Sequence, residues 1–249
     1  MATDFGIKCA LMAGVAYRSN RPDKNKFPVP DGWVEIAKSY YTMPNGFEAV
    51  SFTDGSKVVI AFAGTNNLLD WSTNIDLGIG IVSEQLLSAA EYYLYIKGKY
   101  PPGTEIVFTG HSLGGGLVAL MGVLFDEEAV TFDQAPFKAA ATETIKTAII
   151  NHLQGLPYKY DPNDGSPVYA PRLFPATYTV AQIQAQAQGL STFTNDSLES
   201  RSANVSGYYV EGEALSTYFP SGMMIGSLNT LTHGTTDISS IDLHSQALL

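Results

Sequence analysis

Residues 110–114 read Gly-His-Ser-Leu-Gly, a serine centred in a Gly-x-Ser-x-Gly pentapeptide. The β-formers Ile106, Val107, Phe108 and Thr109 precede it, and Leu117, Val118, Ala119, Leu120, Met121 and Val123 continue after it as an apolar helix. Strand, sharp turn and helix is the context in which this pentapeptide is a nucleophile elbow. The serine backbone is strained there, and glycines stand two positions to either side because a Cβ would strike the neighbouring strand or helix. The pattern predicts Ser112 as a nucleophile held above a sheet, its oxygen at a helix N-terminus. Such a serine does acyl transfer through a covalent intermediate.

A serine hydroxyl attacks poorly at neutral pH unless a base takes its proton, and histidine suits because its pKa lies near working pH. Four histidines are available: His111, His152, His233 and His244. A carboxylate must orient the imidazole and stabilise its positive charge, from a short loop at the C-terminal end of a strand. Residues 205–210 read as such a strand and Glu211-Gly-Glu213 follows it, with Asp164 and Asp196 as more distant rivals. The oxyanion of the tetrahedral intermediate needs N–H donors. One is the backbone of Leu113, the residue after the nucleophile. A second is expected from Phe62-Ala-Gly-Thr65, where Gly64 lets the backbone approach and Thr65 adds a hydroxyl. This chemistry requires no metal or cofactor, and no ligand cluster in the sequence suggests one.

The elements that must position these groups are legible in outline. Phe5, Cys9, Met12, Ala13 and Ala16 recur at helical spacing behind Thr3 or Asp4 as a cap. Residues 33–64 alternate, with turn signals at Pro44-Asn45-Gly46 and Asp54-Gly55, and predict an antiparallel meander ending in a strand buried on both faces. A helix over residues 81–100 stops at Pro101-Pro102. Strands at 106–109 and 129–132 then alternate with helices at 112–125 and 136–153, as parallel strands joined by right-handed crossovers do. Residues 157–200 are rich in Pro, Gly, Ser, Thr, Gln and Asn and read as a solvated excursion with one helix. A short helix is expected over residues 241–249. The sum is an α/β chain, a mixed sheet with helices on both faces, forming one domain over residues 1–249.

Composition narrows the partners. Fourteen Lys and Arg against 24 Asp and Glu leave a net charge of −10, which argues against nucleic acid and against electrostatic docking on anionic membranes. Any lipid contact must be hydrophobic. The first residues show no basic and apolar signal pattern, and no run approaches the ~20 apolar residues of a membrane span. A soluble chain is expected, with its compartment and oligomeric state open. Cys9 is the only cysteine, so neither a disulfide nor CxxC chemistry is available, and a buried, inert thiol is expected.

Three segments together resemble the class 3, fungal-type lipases of the α/β-hydrolase fold: residues 58–65 followed by Asp70, Trp71 and Asn74; residues 110–115; and residues 212–216 with a downstream histidine. The resemblance implies a mostly parallel central sheet, a carboxylic ester hydrolase acting on acylglycerols or similar lipid esters, and the triad order serine, acid, histidine. It assigns His111 to interior packing and puts His152 too early, leaving His233 and His244, of which His244 stands where the family has its base. Glu213 falls on the family's aspartate position, one methylene longer, with Glu211 as rival. Thr65 matches the family's oxyanion serine or threonine, although Ala63 replaces an arginine often found there. Residues 66–76 match a short amphipathic lid that would make transient contact with a lipid interface, and Gly78 and Gly80 offer a hinge. Phospholipase A1 chemistry on an anionic lipid, and a silent scaffold that binds a ligand, are the competing readings.

Overall fold

The computed structural model describes residues 3–19, 27–64, 75–160, 167–169, 178–232, 239, 243 and 244. Helix α1 (Asp4–Ala16) opens the fold, its first turn capped by Thr3, whose hydroxyl accepts from Gly6 N–H at 3.0 Å. Strands β1 (Val34–Glu35), β2 (Tyr41–Thr42), β3 (Glu48–Thr53) and β4 (Lys57–Phe62) form the expected antiparallel meander. Helix α2 (Ile75–Lys97) follows, starting earlier than the sequence suggested and including Gly78 and Gly80 in its helical backbone. Strand β5 (Glu105–His111), helix α3 (Leu113–Phe125) and strand β6 (Glu128–Phe132) carry the elbow and the crossover behind it.

Helix α4 (Glu143–Gln154) is preceded by a 3₁₀ turn, Lys138–Ala140, so the single helix expected over 136–153 is broken. The excursion is more ordered than its composition suggested. Among the described residues it contains three short antiparallel strands, β7 (Tyr158–Tyr160), β8 (Pro167–Tyr169) and β9 (Tyr178–Thr179), then α5 (Val180–Ser191) and α6 (Leu198–Ser202). A capping box on Thr179 and Gln182 starts α5, and Ile183, Ala187 and Leu190 bury one face of it. Strand β10 (Val205–Val210), helix α7 (Ala214–Tyr218) and strand β11 (Ser227–Leu231) complete the described elements. Of the closing helix, only Leu243 and His244 lie among the described residues, and both are helical.

The central sheet runs β1-β3-β4-β5-β6-β10-β11, with β2 on β3. From β4 onward every pairing is parallel. This is the mostly parallel α/β-hydrolase sheet with an antiparallel start. The period of two along β4 divides the core: Val58, Ile60 and Phe62 pack with α2 and α3 residues such as Tyr92 and Leu117, while Val59 and Ala61 pack with Cys9, Met12 and Ala13 of α1. Each fully buried large side chain among these contributes about 1.5–3 kcal/mol. Cys9 sits in that second layer, where burial pushes its thiol up to about 12, so it is inert at neutral pH. Parallel strands that end together bring their C-terminal loops to one edge, and the residues singled out for chemistry follow β4, β5 and β10 there.

Candidate active site

The elbow is the site's most constrained piece. Ser112 has φ 59° and ψ −125°, a conformation L residues rarely hold. A Cβ at Gly110 would lie 2.6 Å from the carbonyl of Gly114, and one at Gly114 would lie 2.3 Å from the carbonyl oxygen of Phe62. Both glycines are therefore fixed by close packing of strand on helix. The Ser112 carbonyl accepts from Gly116 and Ala135 N–H at 3.0 and 2.9 Å, and Ser112 N–H donates to Phe132 at 3.0 Å. These bonds hold the strain in place.

The loop after β4 lies against the elbow. A Cβ on Gly64 would stand 2.4 Å from the Tyr17 hydroxyl, 2.9 Å from the His111 carbonyl and 3.2 Å from Leu113 N, which is why glycine occupies that position. Leu113 is the first residue of α3, where backbone N–H groups lack intrahelical acceptors. Thr65, residues 66–74 of the expected lid, His233 and Asp164 lie outside the described residues.

Glu213 and His244 come together. His244 Nδ1 lies 2.7 Å from Glu213 Oε2, both side chains almost wholly buried. Glu213 is also the N-cap of α7, its carboxylate accepting from Leu215 N–H at 2.7 Å and from Ser216 N–H. Burial raises the Glu213 pKa, but the bond to His244, the two backbone donors and the imidazole's charge outweigh it, holding the group below the ordinary carboxylate range. With Nδ1 committed to the carboxylate, His244 presents Nε2. That atom and Ser112 Oγ are both buried, and neither has a hydrogen-bond partner. Glu211 and Asp196 are exposed, and Glu211 N–H donates to the Leu231 carbonyl at 2.9 Å. His152 pairs elsewhere, with Glu91 at 2.6 Å.

Two residues here carried no prediction. Tyr17, one position past α1, places its hydroxyl 2.9 Å from His111 Nδ1 and 3.1 Å from the His111 carbonyl. His111 is more than packing, because its Nε2 lies 3.0 Å from the His244 carbonyl oxygen and its ring lies 4.7 Å from the His244 ring, tilted by 37°. A carbonyl only accepts, so Nε2 carries the proton and donates. Asp133 follows β6 directly, with a buried Oδ2 that has no partner. Burial pushes its carboxyl well above the usual range, and the charge on Glu213 adds to the rise against one opposing bond from Val210 N–H. A carboxylate at the C-terminal end of a parallel strand is the signal that could have found it.

Donor atoms of His111, Asp133 and His244 lie within 4.8 Å of one another. Both imidazoles are engaged in hydrogen bonds, His111 on the His244 carbonyl and His244 Nδ1 on Glu213, while Asp133 Oδ2 makes none. No helix among the described residues is long and apolar enough to cross a membrane. What the arrangement can do is move a proton from a buried hydroxyl to a carboxylate-steadied imidazole beside a helix N-terminus.

Comparison with known proteins points the same way. Residues 8–155, more than half of the chain, match the family model described as a Tle-like phospholipase domain. An extracellular phospholipase A1 of Serratia liquefaciens is 35% identical over 97 residues, 39% of this chain and 30% of that protein. A putative lipase, ATG15, of Mycosarcoma maydis is 26% identical over 247 residues, 82% of this chain and 44% of that protein. The chain thus spans less than half the length of these curated relatives. Among solved structures, a lipase from Rhizopus microsporus var. chinensis superposes with a TM-score of 0.50 at 12% identity, covering 92% of this chain and 76% of that one. Lipase II from Rhizopus niveus gives 0.50 at 12% identity, with 93% and 81% covered. Likeness at that identity shows the fold alone.

Proposed function

This chain belongs to the family of the Tle-like phospholipase domain, and from that premise we propose that it hydrolyses acyl ester bonds of lipids, phospholipids foremost, through an acyl-serine intermediate. Ser112 Oγ attacks the ester carbonyl carbon while His244 Nε2 takes its proton. Glu213 steadies the imidazolium across the 2.7 Å bond to Nδ1. The oxyanion takes hydrogen bonds from Leu113 N–H and from Thr65, donors worth about 3–4 kcal/mol each where they are preorganised. The imidazolium protonates the departing alcohol, and water, activated by the same histidine, then releases the fatty acid. The observation that carries this reading is the buried Glu213–His244 bond, which leaves His244 Nε2 buried without a hydrogen-bond partner, as is Ser112 Oγ, while the His244 ring lies 4.7 Å from that of His111, the residue before the strained serine.

Residues 66–76 acting as a lid over the acyl site belong to the same proposal, supported by the lipase resemblance. The phospholipid preference rests on the family and on the relative named phospholipase A1. A net charge of −10 favours a second reading, neutral acylglycerols, because an acidic protein is repelled from an anionic lipid surface. Fatty acid release from zwitterionic phosphatidylcholine and anionic phosphatidylglycerol vesicles, from diacylglycerol and triacylglycerol emulsions, and from p-nitrophenyl esters tests both, with the wild type beside Ser112→Ala. Equal rates for the two proteins on every substrate would sink the hydrolase reading. Faster turnover of the acylglycerols would transfer the preference to the second.

A further inference from the structure

Asp133 follows β6 as Glu213 follows β10, and the two strands are adjacent and parallel. Its backbone is fastened to the strand that carries Glu213. Asp133 N–H donates to the Tyr208 carbonyl at 2.8 Å, and Val210 N–H donates to Asp133 Oδ1 at 3.0 Å. The residue holds φ 42°, in the left-handed region, where aspartate is one of the few tolerated side chains. Its Oδ2 is buried without a hydrogen-bond partner, 3.8 Å from His111 Nε2, and the cluster within 4.8 Å includes a ring nitrogen of His244. Asp133 and Glu213 also border one cavity of about 210 Å³.

We propose that Asp133 is a second positioning acid for His244, able to carry the charge that steadies the imidazolium when Glu213 does not. The inference rests on the hydrolase reading above. Two neighbouring buried carboxyls do not both ionise cheaply, so the proton resides on the one with fewer donors. Glu213 has His244 and two backbone N–H groups, whereas Asp133 has Val210 alone. Wild-type protein therefore keeps the charge on Glu213 and the proton on Asp133.

Replacing Glu213 by glutamine removes the charge that holds that proton. Asp133 then loses it to solvent through the shared cavity, and its carboxylate faces the positive imidazole. The titratable groups around Asp133 among the described residues are Glu213, His111, His244, Tyr208 and Tyr209, and no lysine or arginine borders the cavity. Nothing else there can supply the missing negative charge.

The test is steady-state hydrolysis of a p-nitrophenyl ester by wild type, E213Q, D133N and the double variant across pH. Removing the orienting charge from a triad with no substitute costs about 10⁴-fold in kcat. Here E213Q should lose only ~10- to 100-fold at unchanged KM, and its kcat should rise at more alkaline pH than that of the wild type, because Asp133 must ionise first. The double variant should lose a further ~100-fold, and the alkaline rise should vanish. D133N keeps an acceptor for Val210 N–H, and the E213Q profile alone carries the test without any change at position 133. A double variant equal to E213Q, with no alkaline displacement, overturns the role of Asp133 and leaves the hydrolase reading standing. A wild type inactive on every ester overturns both.

Discussion

Two glutamate–histidine pairs sit among the described residues at nearly the same distance, His244 with Glu213 at 2.7 Å and His152 with Glu91 at 2.6 Å. They differ in which atom is left over. Both oxygens of Glu213 are taken by N–H donors, and the unpartnered atom is His244 Nε2. In the second pair the unpartnered atom is Glu91 Oε2, in the last third of α2, while His152 at the end of α4 is partly open to solvent. Identical residue types thus give a candidate base in one place and a helix-to-helix tie in the other. What separates them is where the unused valence lies and whether a hydroxyl stands beside it. Ser112 follows His111, whose ring lies 4.7 Å from that of His244; the second pair has the equally unpartnered hydroxyl of Tyr178, whose ionisation burial and the Glu91 charge push up.

The largest expected difference is in turnover. His244→Ala should lower kcat by ~10⁴- to 10⁶-fold, as removal of a triad member does elsewhere. His152→Ala should stay within about twofold of wild type, since nothing in its pair reaches the elbow. Fatty acid release by both variants in one assay decides it, and comparable losses would erase the distinction between the pairs. Covalent labelling of Ser112 by a fluorophosphonate gives the same ranking without a turnover step.

Next in size is the loss at Gly64. A methyl group there must displace Tyr17, the His111 carbonyl or Leu113 N, all at the elbow, so Gly64→Ala should cost about 10- to 100-fold in kcat with little change in KM. Gly55, where an added Cβ meets nothing, provides the control for a substituted glycine distant from the site. Its positive φ makes Gly55→Ala a small stability cost without a kinetic one.

The third difference is in stability and runs the other way. His152→Leu leaves Glu91 buried with neither oxygen paired, which should cost about 1–3 kcal/mol in urea denaturation. The double variant Glu91→Leu with His152→Leu should recover most of that, because two apolar groups replace a buried polar pair cheaply. If the double variant is as unstable as the single one, the pair is worth more than a tie between α2 and α4.

Legibility followed the range of the constraint. The elbow and the Thr3 cap are local, so glycine spacing and a capping residue reveal them within a dozen positions. The division of β4 between two cores is also local, written in alternate residues. Glu213 and His244 are 31 residues apart and were joined only through a family resemblance. The Tyr17–His111 contact spans 94 residues and depends on α1 packing across β5, which no spacing in the sequence encodes. Residues 157–200 misled through composition: Gln and Ala serve a helix whose buried face needs few apolar residues, and the short strands β7 to β9 are too brief to show alternation. Asp133 also follows a parallel strand, but what marks it, its packing beside the strand of Glu213 and its bond to Val210 77 residues away, is written in no local spacing.

The smallest effect is also the most specific, and it concerns pH. Glu213 is held below its ordinary value of 4.5, so its charge stabilises the fold above about pH 4.5, and that contribution is lost as pH falls through the lower, folded value. Asp133 is shifted the opposite way, well above 3.8. Its proton-bound form favours the fold at low pH, and the contribution is lost as pH rises from about 3.8 toward the raised value. Glu213→Gln should therefore lose ground to wild type as pH rises from 3.5 to 6, and Asp133→Asn should gain ground over the same window. Urea denaturation of the three proteins at each pH reads both slopes. Two carboxyls bordering one cavity would then respond to the same titration with opposite signs. Slopes of the same sign would mean that burial alone, and not the bond to His244, sets the state of Glu213.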